Sequence, residues 1–139
     1  MKSSFAVCLA ILLSATIGAA RANTGEVAIV LNSGDGTISL VDKTLMKETQ
    51  RTYVGKEPHH LMITPDGSDL IIANAISNDL VFLDPKVGTI KRRLTNISDP
   101  YQLGYSPDKK WFVSVSLRLD RVDLYNGSDF KLVKRIALG

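Results

Sequence analysis

A repeat of 42 residues constrains the fold of this chain more than any other feature of its sequence. Prolines, Pro-Asp pairs, arginines and apolar residues return at the same phase of each period. The clearest correspondences are Pro58 with Pro100, Pro65-Asp66 with Pro107-Asp108, Arg51 with Arg93 and Arg135, and Ile38 with Leu80 and Val122. Two such intervals without an insertion predict tandem copies of one structural unit.

Each period contains four short apolar runs separated by turn residues, so the local pattern is that of strands. The runs cover residues 60–64, 70–73, 80–83 and 89–95 in one period, and 103–106, 111–116, 121–125 and 132–138 in the next. Pro fixes φ in the turns, Asp caps them and Gly supplies positive φ. Four strands per ~40–45 residues are typical of a β-propeller blade. We therefore predict an all-β propeller of four-stranded antiparallel blades, with a parallel β-helix as the alternative.

The first 22 residues are predicted to be a secretory signal peptide. Lys2 precedes a nearly continuous apolar run over residues 5–17, and the segment closes on Ala20-Arg21-Ala22. A basic start, an apolar stretch and an A-x-A end define such a peptide. A membrane anchor is the alternative, but the run is shorter than the ~20 apolar residues that span a bilayer. We expect a periplasmic or secreted product, cleaved near Ala22 and no longer attached to the membrane.

Cleavage would change the composition of the chain. The 139 residues carry a net charge of +3, whereas removal of residues 1–22 leaves 117 residues, a charge of +1 and no cysteine. A cysteine-free product suits an oxidising compartment. The small charge argues against binding to nucleic acid, which needs a basic face. The sequence also has no Walker-type loop, no G-x-S-x-G and no H-E-x-x-H motif.

Several stretches resemble the YVTN-type propeller repeat. They are YVGKEPHHLMITPDG at 53–67, LIIAN at 70–74, NSGDGTISLVD at 32–42 and YSPD at 105–108. This pattern occurs in exported bacterial propellers, and it is similar to the haem-carrying propeller domain of nitrite reductases and to lactonase-like propellers. The resemblance implies the fold and export, but a fold alone does not imply an activity.

Two functions are compatible with these observations. The preferred one is a non-catalytic exported scaffold, without a cofactor, that binds a small molecule or a protein partner at the propeller rim. The alternative is a cofactor-binding or hydrolytic propeller, for which the resemblance implies haem as the cofactor. The sequence leaves open whether the protein is an enzyme.

Binding residues tend to lie on loops that a rigid scaffold holds in place. In a propeller, the loops that join successive blades share one face with the loops between the second and third strands of each blade. The polar residues of these loops form the candidate binding rim, which comprises Asp35, Glu57, Asn78, Asp79, Tyr101, Arg118 and Asp120, with Lys56, Ser77 and Asp99 beside them.

His59 and His60 are the candidate cofactor-binding residues, since histidine titrates near neutral pH and ligates metals. One hypothesis makes one of them a haem-iron ligand or a general base at the channel mouth. The other has one histidine bonded between blades and its neighbour in solvent. Adjacent strand residues point to opposite sides, so both cannot reach one metal without a bulge. No metal site is predicted.

The blades are predicted to cover residues 23–55, 56–97 and 98–139, with the inner strand missing from the first. These are about 2.8 repeats, whereas a closed propeller has about 4–8 blades. We expect an incomplete ring, from an N-terminal fragment or a chain that closes by self-association. The blade-packing cores are expected to contain Leu70, Ile72, Val81, Leu83, Trp111, Val113 and Val115.

Overall fold

The computed structural model describes residues 26–139, so the predicted signal peptide lies outside the described residues. The described chain is all β, and it contains no helix that is long and apolar enough to cross a membrane. Its strands are β1 Val27–Asn32, β2 Thr37–Asp42, β3 Lys47–Tyr53, β4 Pro58–Ile63, β5 Leu70–Asn74, β6 Asp79–Leu83, β7 Ile90–Thr95, β8 Pro100–Tyr105, β9 Trp111–Ser116, β10 Arg121–Asn126 and β11 Leu132–Ala137.

The strands form three antiparallel sheets in chain order, which are the blades of a propeller. The first blade is β1-β2-β3, the second is β4-β5-β6-β7 and the third is β8-β9-β10-β11. Within the described residues the first blade has three strands and the other two have four. The sequence-based prediction of an open β-propeller of antiparallel blades is therefore confirmed.

The inner strands β4 and β8 begin earlier than the apolar pattern indicated. They start at Pro58 and Pro100, and in each the register shifts at the following residue, which is His59 or Tyr101. A bulge of this kind inserts one unpaired residue and re-aims its side chain. The polar residue at the bulge interrupts the apolar run, and for this reason the sequence pattern placed the strand start later.

The blades pack face to face through two apolar clusters. Between the first and second blades lie Ile38, Leu40, Val54, Leu70, Ile72, Val81 and Leu83. Between the second and third blades lie Ile71, Ala73, Leu80, Phe82, Ile97, Phe112, Tyr125 and Phe130. Because side chains alternate across a strand, the second blade buries both of its faces and separates the two clusters.

The prediction that Trp111, Val113 and Val115 belong to the packed core of the third blade was wrong. Trp111 is 38% exposed and Val113 and Val115 are only half-buried, whereas Phe112 is completely buried. The residues of β9 alternate between two faces, and only the face with Phe112 packs on the second blade. No other described blade covers the face with Trp111.

Candidate functional site

The predicted rim contains a contiguous charged cluster at the junction of the second and third blades. The Arg118 guanidinium lies 2.6 Å from a Glu57 carboxylate oxygen and 3.3 Å from the nearer Asp99 oxygen. Arg118 belongs to the β9–β10 loop, whereas the two acids precede the inner strands β4 and β8. We call Glu57, Asn78, Asp99 and Arg118 the rim cluster.

Backbone hydrogen bonds fix the position of the rim cluster. The Asp99 amide donates to Asn78 Oδ1 at 2.7 Å, and the Arg118 amide donates to Asp99 Oδ2 at 2.7 Å. Asn78, Glu57 and Asp99 all have a positive φ, between 45° and 56°, which is uncommon for residues other than glycine. The loops are therefore held in a defined shape before any ligand arrives.

The charged groups of the rim cluster pair with one another and differ in their exposure to solvent. The hydrogen bond to Glu57 is the main cause of a raised pKa for Arg118, and the charge of Asp99 adds to it. Half of the Arg118 side chain is exposed, whereas Asp99 is almost completely buried. The cluster thus presents a guanidinium edge that is anchored by two carboxylates and still open to a partner.

His59 and Tyr101, the bulged residues of the two inner strands, stack on each other beside the rim cluster. Their ring centroids are 3.5 Å apart and the planes are tilted by 30°. His59 Nδ1 is buried and has no hydrogen-bond partner in the described part of the chain. Because a buried polar atom without a partner costs free energy, this nitrogen is the feature of the rim that packing explains least.

His60 has a different environment from its neighbour. Its Nδ1 accepts a hydrogen bond of 3.2 Å from the Leu103 amide on β8, and so joins the inner strands of two blades. Burial lowers the pKa of His60, and the nearby His59 lowers it further. The neutral ring is favoured, since only a deprotonated Nδ1 can accept the amide proton.

These surroundings bear on the alternative in which the protein carries haem. While His60 Nδ1 accepts the Leu103 amide, the ring proton lies on Nε2, which leaves no lone pair there for a metal. A ligating histidine usually donates its other N–H to an orienting partner, and His59 Nδ1 has none in the described residues. The two histidines therefore fit a haem-iron ligand poorly in this conformation. Within residues 26–139 there is also no group of three or more His, Cys, Asp or Glu that could hold a metal ion.

The remaining predicted rim residues lie outside the rim cluster. Asp79 is buried and pairs with Arg93, which also donates to the Val54 carbonyl of the first blade. Asp35 is exposed and lies 3.3 Å from Arg51 on the first blade. Asp120 has a φ of 43°, and its carbonyl accepts a 2.7 Å hydrogen bond from the Leu138 amide. Asp79 thus has a structural partner that links two blades.

Two contacts of the site were not predicted from the sequence. Glu57 and Arg118 are 61 residues apart, and no local pattern pairs them. The stack of His59 on Tyr101 follows from the two bulges, each of which comes directly after a repeated proline. The 42-residue correspondence of Pro58 with Pro100 was the available clue, since it places the next residues at equivalent positions of adjacent inner strands.

Comparisons with solved structures support the propeller fold. Hydrazine synthase from Kuenenia stuttgartiensis superposes with a TM-score of 0.66 and 21% identity, covering 80% of this chain and 32% of its own. The dihydro-haem d1 dehydrogenase NirN, in complex with DHE, superposes with a TM-score of 0.61 and 19% identity, and the match covers 79% of this chain and 24% of NirN. A functionally unknown protein from Desulfotomaculum acetoxidans superposes with a TM-score of 0.66 and 18% identity, and the match covers 83% of this chain and 38% of that protein. At these identities the likeness shows the fold alone.

The chain spans between 24% and 38% of the length of these three structures. No curated protein matches the sequence. The model of the YNCE-like beta-propeller family matches residues 3–139, which is nearly the whole sequence. Together with the three stacked antiparallel blades, this match shows that the chain belongs to the YNCE-like β-propeller family.

Proposed function

We propose that this chain is part of an exported, non-catalytic propeller that binds a small molecule or a protein partner at its rim. The observation that carries the proposal is the rim cluster, in which Arg118 is anchored by Glu57 and Asp99 but remains half exposed. An anchored guanidinium loses little conformational freedom on binding, and it is well suited to planar acceptors such as carboxylates and amides.

The repeat supports a role in binding rather than in construction. The residue equivalent to Arg118 is Ile76 in the second blade and Gly34 in the first. Likewise His59 corresponds to Tyr101, so neither side chain is needed to build a blade. Residues that form the blades recur at 42-residue intervals, whereas these do not.

Crosslinking in the exported compartment tests the proposal. A photoreactive phenylalanine analogue at position 101 would report on contacts at the rim, and the same analogue at position 53 is a matched control, since Tyr53 is 59% exposed on the outer strand β3. We expect an adduct at 101 only, and its loss on Arg118→Ile, which installs the residue of the second blade. Equal adducts at positions 101 and 53 would contradict a binding rim. The absence of adducts at both positions would also contradict it, if native mass spectrometry of the purified protein finds no bound small molecule.

The second candidate is a cofactor-binding or hydrolytic propeller. The buried Nδ1 of His59, which has no partner in the described residues, favours its hydrolytic version, in which this nitrogen would act as a general base. If haem is present, His59 is the residue to test as its ligand. The visible spectrum and the metal content of the exported protein separate the two candidates. A Soret band that is lost on His59→Ala or His60→Ala would overturn the non-catalytic proposal, whereas a colourless and metal-free protein would remove the haem version.

Export is part of the proposal and rests on the predicted signal peptide at 1–22. Fractionation of cells that express the full sequence would detect a product shortened near Ala22 in the periplasm or the medium. A product of full length that stays with the cytoplasmic fraction would contradict export. The ring is proposed to close through further blades or a second copy of the chain.

A further inference from the structure

A second polar cleft lies between the second and third blades, on the face opposite the rim cluster. The β4–β5, β8–β9 and β10–β11 loops surround it, whereas the rim is formed by the loops at the other ends of the strands. Its volume is 280 Å³, which suits a small ligand. Its lining includes Asp66, Ser68, Arg92, Tyr105, Lys109 and Phe130. We call it the junction cleft.

Arg92 is the unusual side chain of the junction cleft. Its guanidinium carbon lies 3.4 Å from the centroid of the Phe82 ring and 5.2 Å from that of Phe130. Stacking on aromatic rings holds the guanidinium in place and leaves the N–H groups at its edge free to bind. Arg92 pairs with no carboxylate in residues 26–139. The arginines that do pair with carboxylates there are Arg51, Arg93, Arg118, Arg121 and Arg135.

The repeat indicates that this arrangement is not required to build a blade. At equivalent positions of the preceding junction Ile63 replaces Tyr105, Gly67 replaces Lys109 and Gly88 replaces Phe130. Both glycines have a left-handed φ, and the third blade keeps that conformation with φ of 62° at Lys109 and 58° at Phe130. Such a backbone is unfavourable for residues with a Cβ and is often retained for function. The positive φ at Phe130 also occurs at the equivalent Met46 of the first blade, with φ of 50°, so Lys109 is the strained residue that departs from the repeat in this cleft.

The other polar groups of the cleft complement Arg92. The Lys109 ammonium has no carboxylate partner within the described residues. Burial raises the pKa of Tyr105, so its hydroxyl is a neutral donor at physiological pH. Hydrogen bonds from Thr64 and Ser68 lower the pKa of Asp66 to about 2, so its carboxylate stays ionised and accepts. The second carboxylate of the lining, Asp69, already pairs with Lys91 at 2.9 Å. The cleft thus offers cationic donors for an anion and, at Asp66, a carboxylate acceptor for a donor group.

We propose that the junction cleft binds a small carboxylic acid that also carries a hydrogen-bond donor, such as an amino acid or a hydroxy acid. The carboxylate pairs with the edge of Arg92 and with Lys109, because a planar guanidinium matches a carboxylate with two parallel hydrogen bonds. The ligand hydroxyl or ammonium donates to Asp66. This inference is independent of the rim and of the function proposed for it.

Ligand-observed NMR tests the proposal, since saturation transfer from protein to ligand does not depend on the oligomeric state. The probes are glycine and glycolate, with ethanolamine as a probe that lacks the carboxylate. We expect saturable binding of one or both acids and at least fivefold weaker binding of ethanolamine. Inorganic phosphate, which has no C–H protons to observe, is added as a competitor and should displace the bound acid only at a concentration at least fivefold higher than the acid itself requires. Displacement of the acid by an equal concentration of phosphate would contradict selection of a carboxylate.

Two variants distinguish binding from a structural role. Arg92→Gln is expected to weaken binding at least tenfold, whereas Lys134→Gln, at the equivalent and exposed position of β11, should leave it unchanged. Lys109→Gly restores the residue of the second blade, so it should raise the melting temperature and still weaken binding about fivefold. If Arg92→Gln does not fold, the result with Lys109→Gly decides. Equal binding by the wild type and Lys109→Gly, or equal losses from Arg92→Gln and Lys134→Gln, would overturn the proposal.

Discussion

Phe112 and Trp111 are adjacent on β9, and their truncation tests which face of the third blade packs on the second. Phe112 is completely buried, and its ring centroid lies 5.0 Å from that of Phe130 and 5.1 Å from that of Tyr105. Trp111 is on the opposite face and is 38% exposed. Phe112→Ala should therefore destabilise the protein much more than Trp111→Ala.

The magnitude follows from the environment of each ring. Truncation of a buried phenylalanine costs about 3–5 kcal/mol, because it loses transfer free energy and leaves a cavity. The hydrogen-bonded ladders of two sheets bound the Phe112 site and resist collapse, so we expect about 4 kcal/mol. Trp111→Ala opens no closed cavity and loses only part of its transfer term, for which we expect about 1–2 kcal/mol.

Urea denaturation followed by far-ultraviolet circular dichroism measures both variants without using tryptophan as the probe. A loss of about 4 kcal/mol is a large part of the total stability of a domain, which is about 5–15 kcal/mol, so Phe112→Leu provides a milder version of the same change. All variants are compared at one protein concentration. A loss from Trp111→Ala that equals or exceeds the loss from Phe112→Ala would refute the assignment of faces.

Three further predictions concern pH, the link between blades and self-association. Burial and the proximity of His59 lower the pKa of His60 in the folded protein. Stability is therefore full above pH 6.5, the pKa of the unfolded chain, and it falls as the pH drops through the lowered pKa of the folded protein. The reason is that the unfolded chain binds the proton first. His60→Gln should flatten this dependence in thermal melts between pH 7.5 and 5, whereas an unchanged slope would contradict it. Arg93→Ala leaves the buried Asp79 without its ion pair and should cost about 2 kcal/mol in denaturation experiments, and a loss below about 0.5 kcal/mol would show that water replaces the arginine. Blades with an uncovered face self-associate, and Trp111, the one tryptophan of the chain, lies on such a face. Its fluorescence emission should therefore shift to the red when dilution dissociates the protein. A monodisperse monomer with concentration-independent emission would contradict this.

Much of the fold could be predicted because its information is local and repeated. The 42-residue period, the turn residues and the alternation of short apolar runs specify antiparallel blades. The choice of covered face could not be predicted in the same way. Residues 70–73 are apolar on both faces of β5. In β9 the entirely apolar face is that of Trp111, Val113 and Val115, yet the face of Phe112, Ser114 and Ser116 is the one that meets another described blade. Burial there depends on a neighbouring sheet, which is a property that the strand does not carry in its own sequence.

The candidate site could be predicted by loop but not by contact. Topology places the loops before β4 and β8 on the same face as the β9–β10 loop, which was enough to nominate Glu57, Tyr101 and Arg118. The ion pair of Arg118 and the structural role of Asp79 depend on distances between blades. Asp79 carries the same charge as Asp35 and directly follows the loop equivalent to that of Asp35, yet it is buried and bonded to Arg93 while Asp35 is exposed.

Departures from the repeat are a better guide to function here than residue type alone. The positions that recur build the blades, whereas Arg118 replaces an isoleucine at the rim and Lys109 replaces a glycine in the junction cleft. Both departures lie at the junction of the second and third blades, and the aromatic cluster around Phe112 separates them. Loss of Phe112 should therefore impair both binding surfaces through the shared junction, whereas Arg118→Ile should affect only the rim and Arg92→Gln only the cleft. This pattern of one shared and two separate effects would distinguish two sites on one scaffold from a single site that spans the junction.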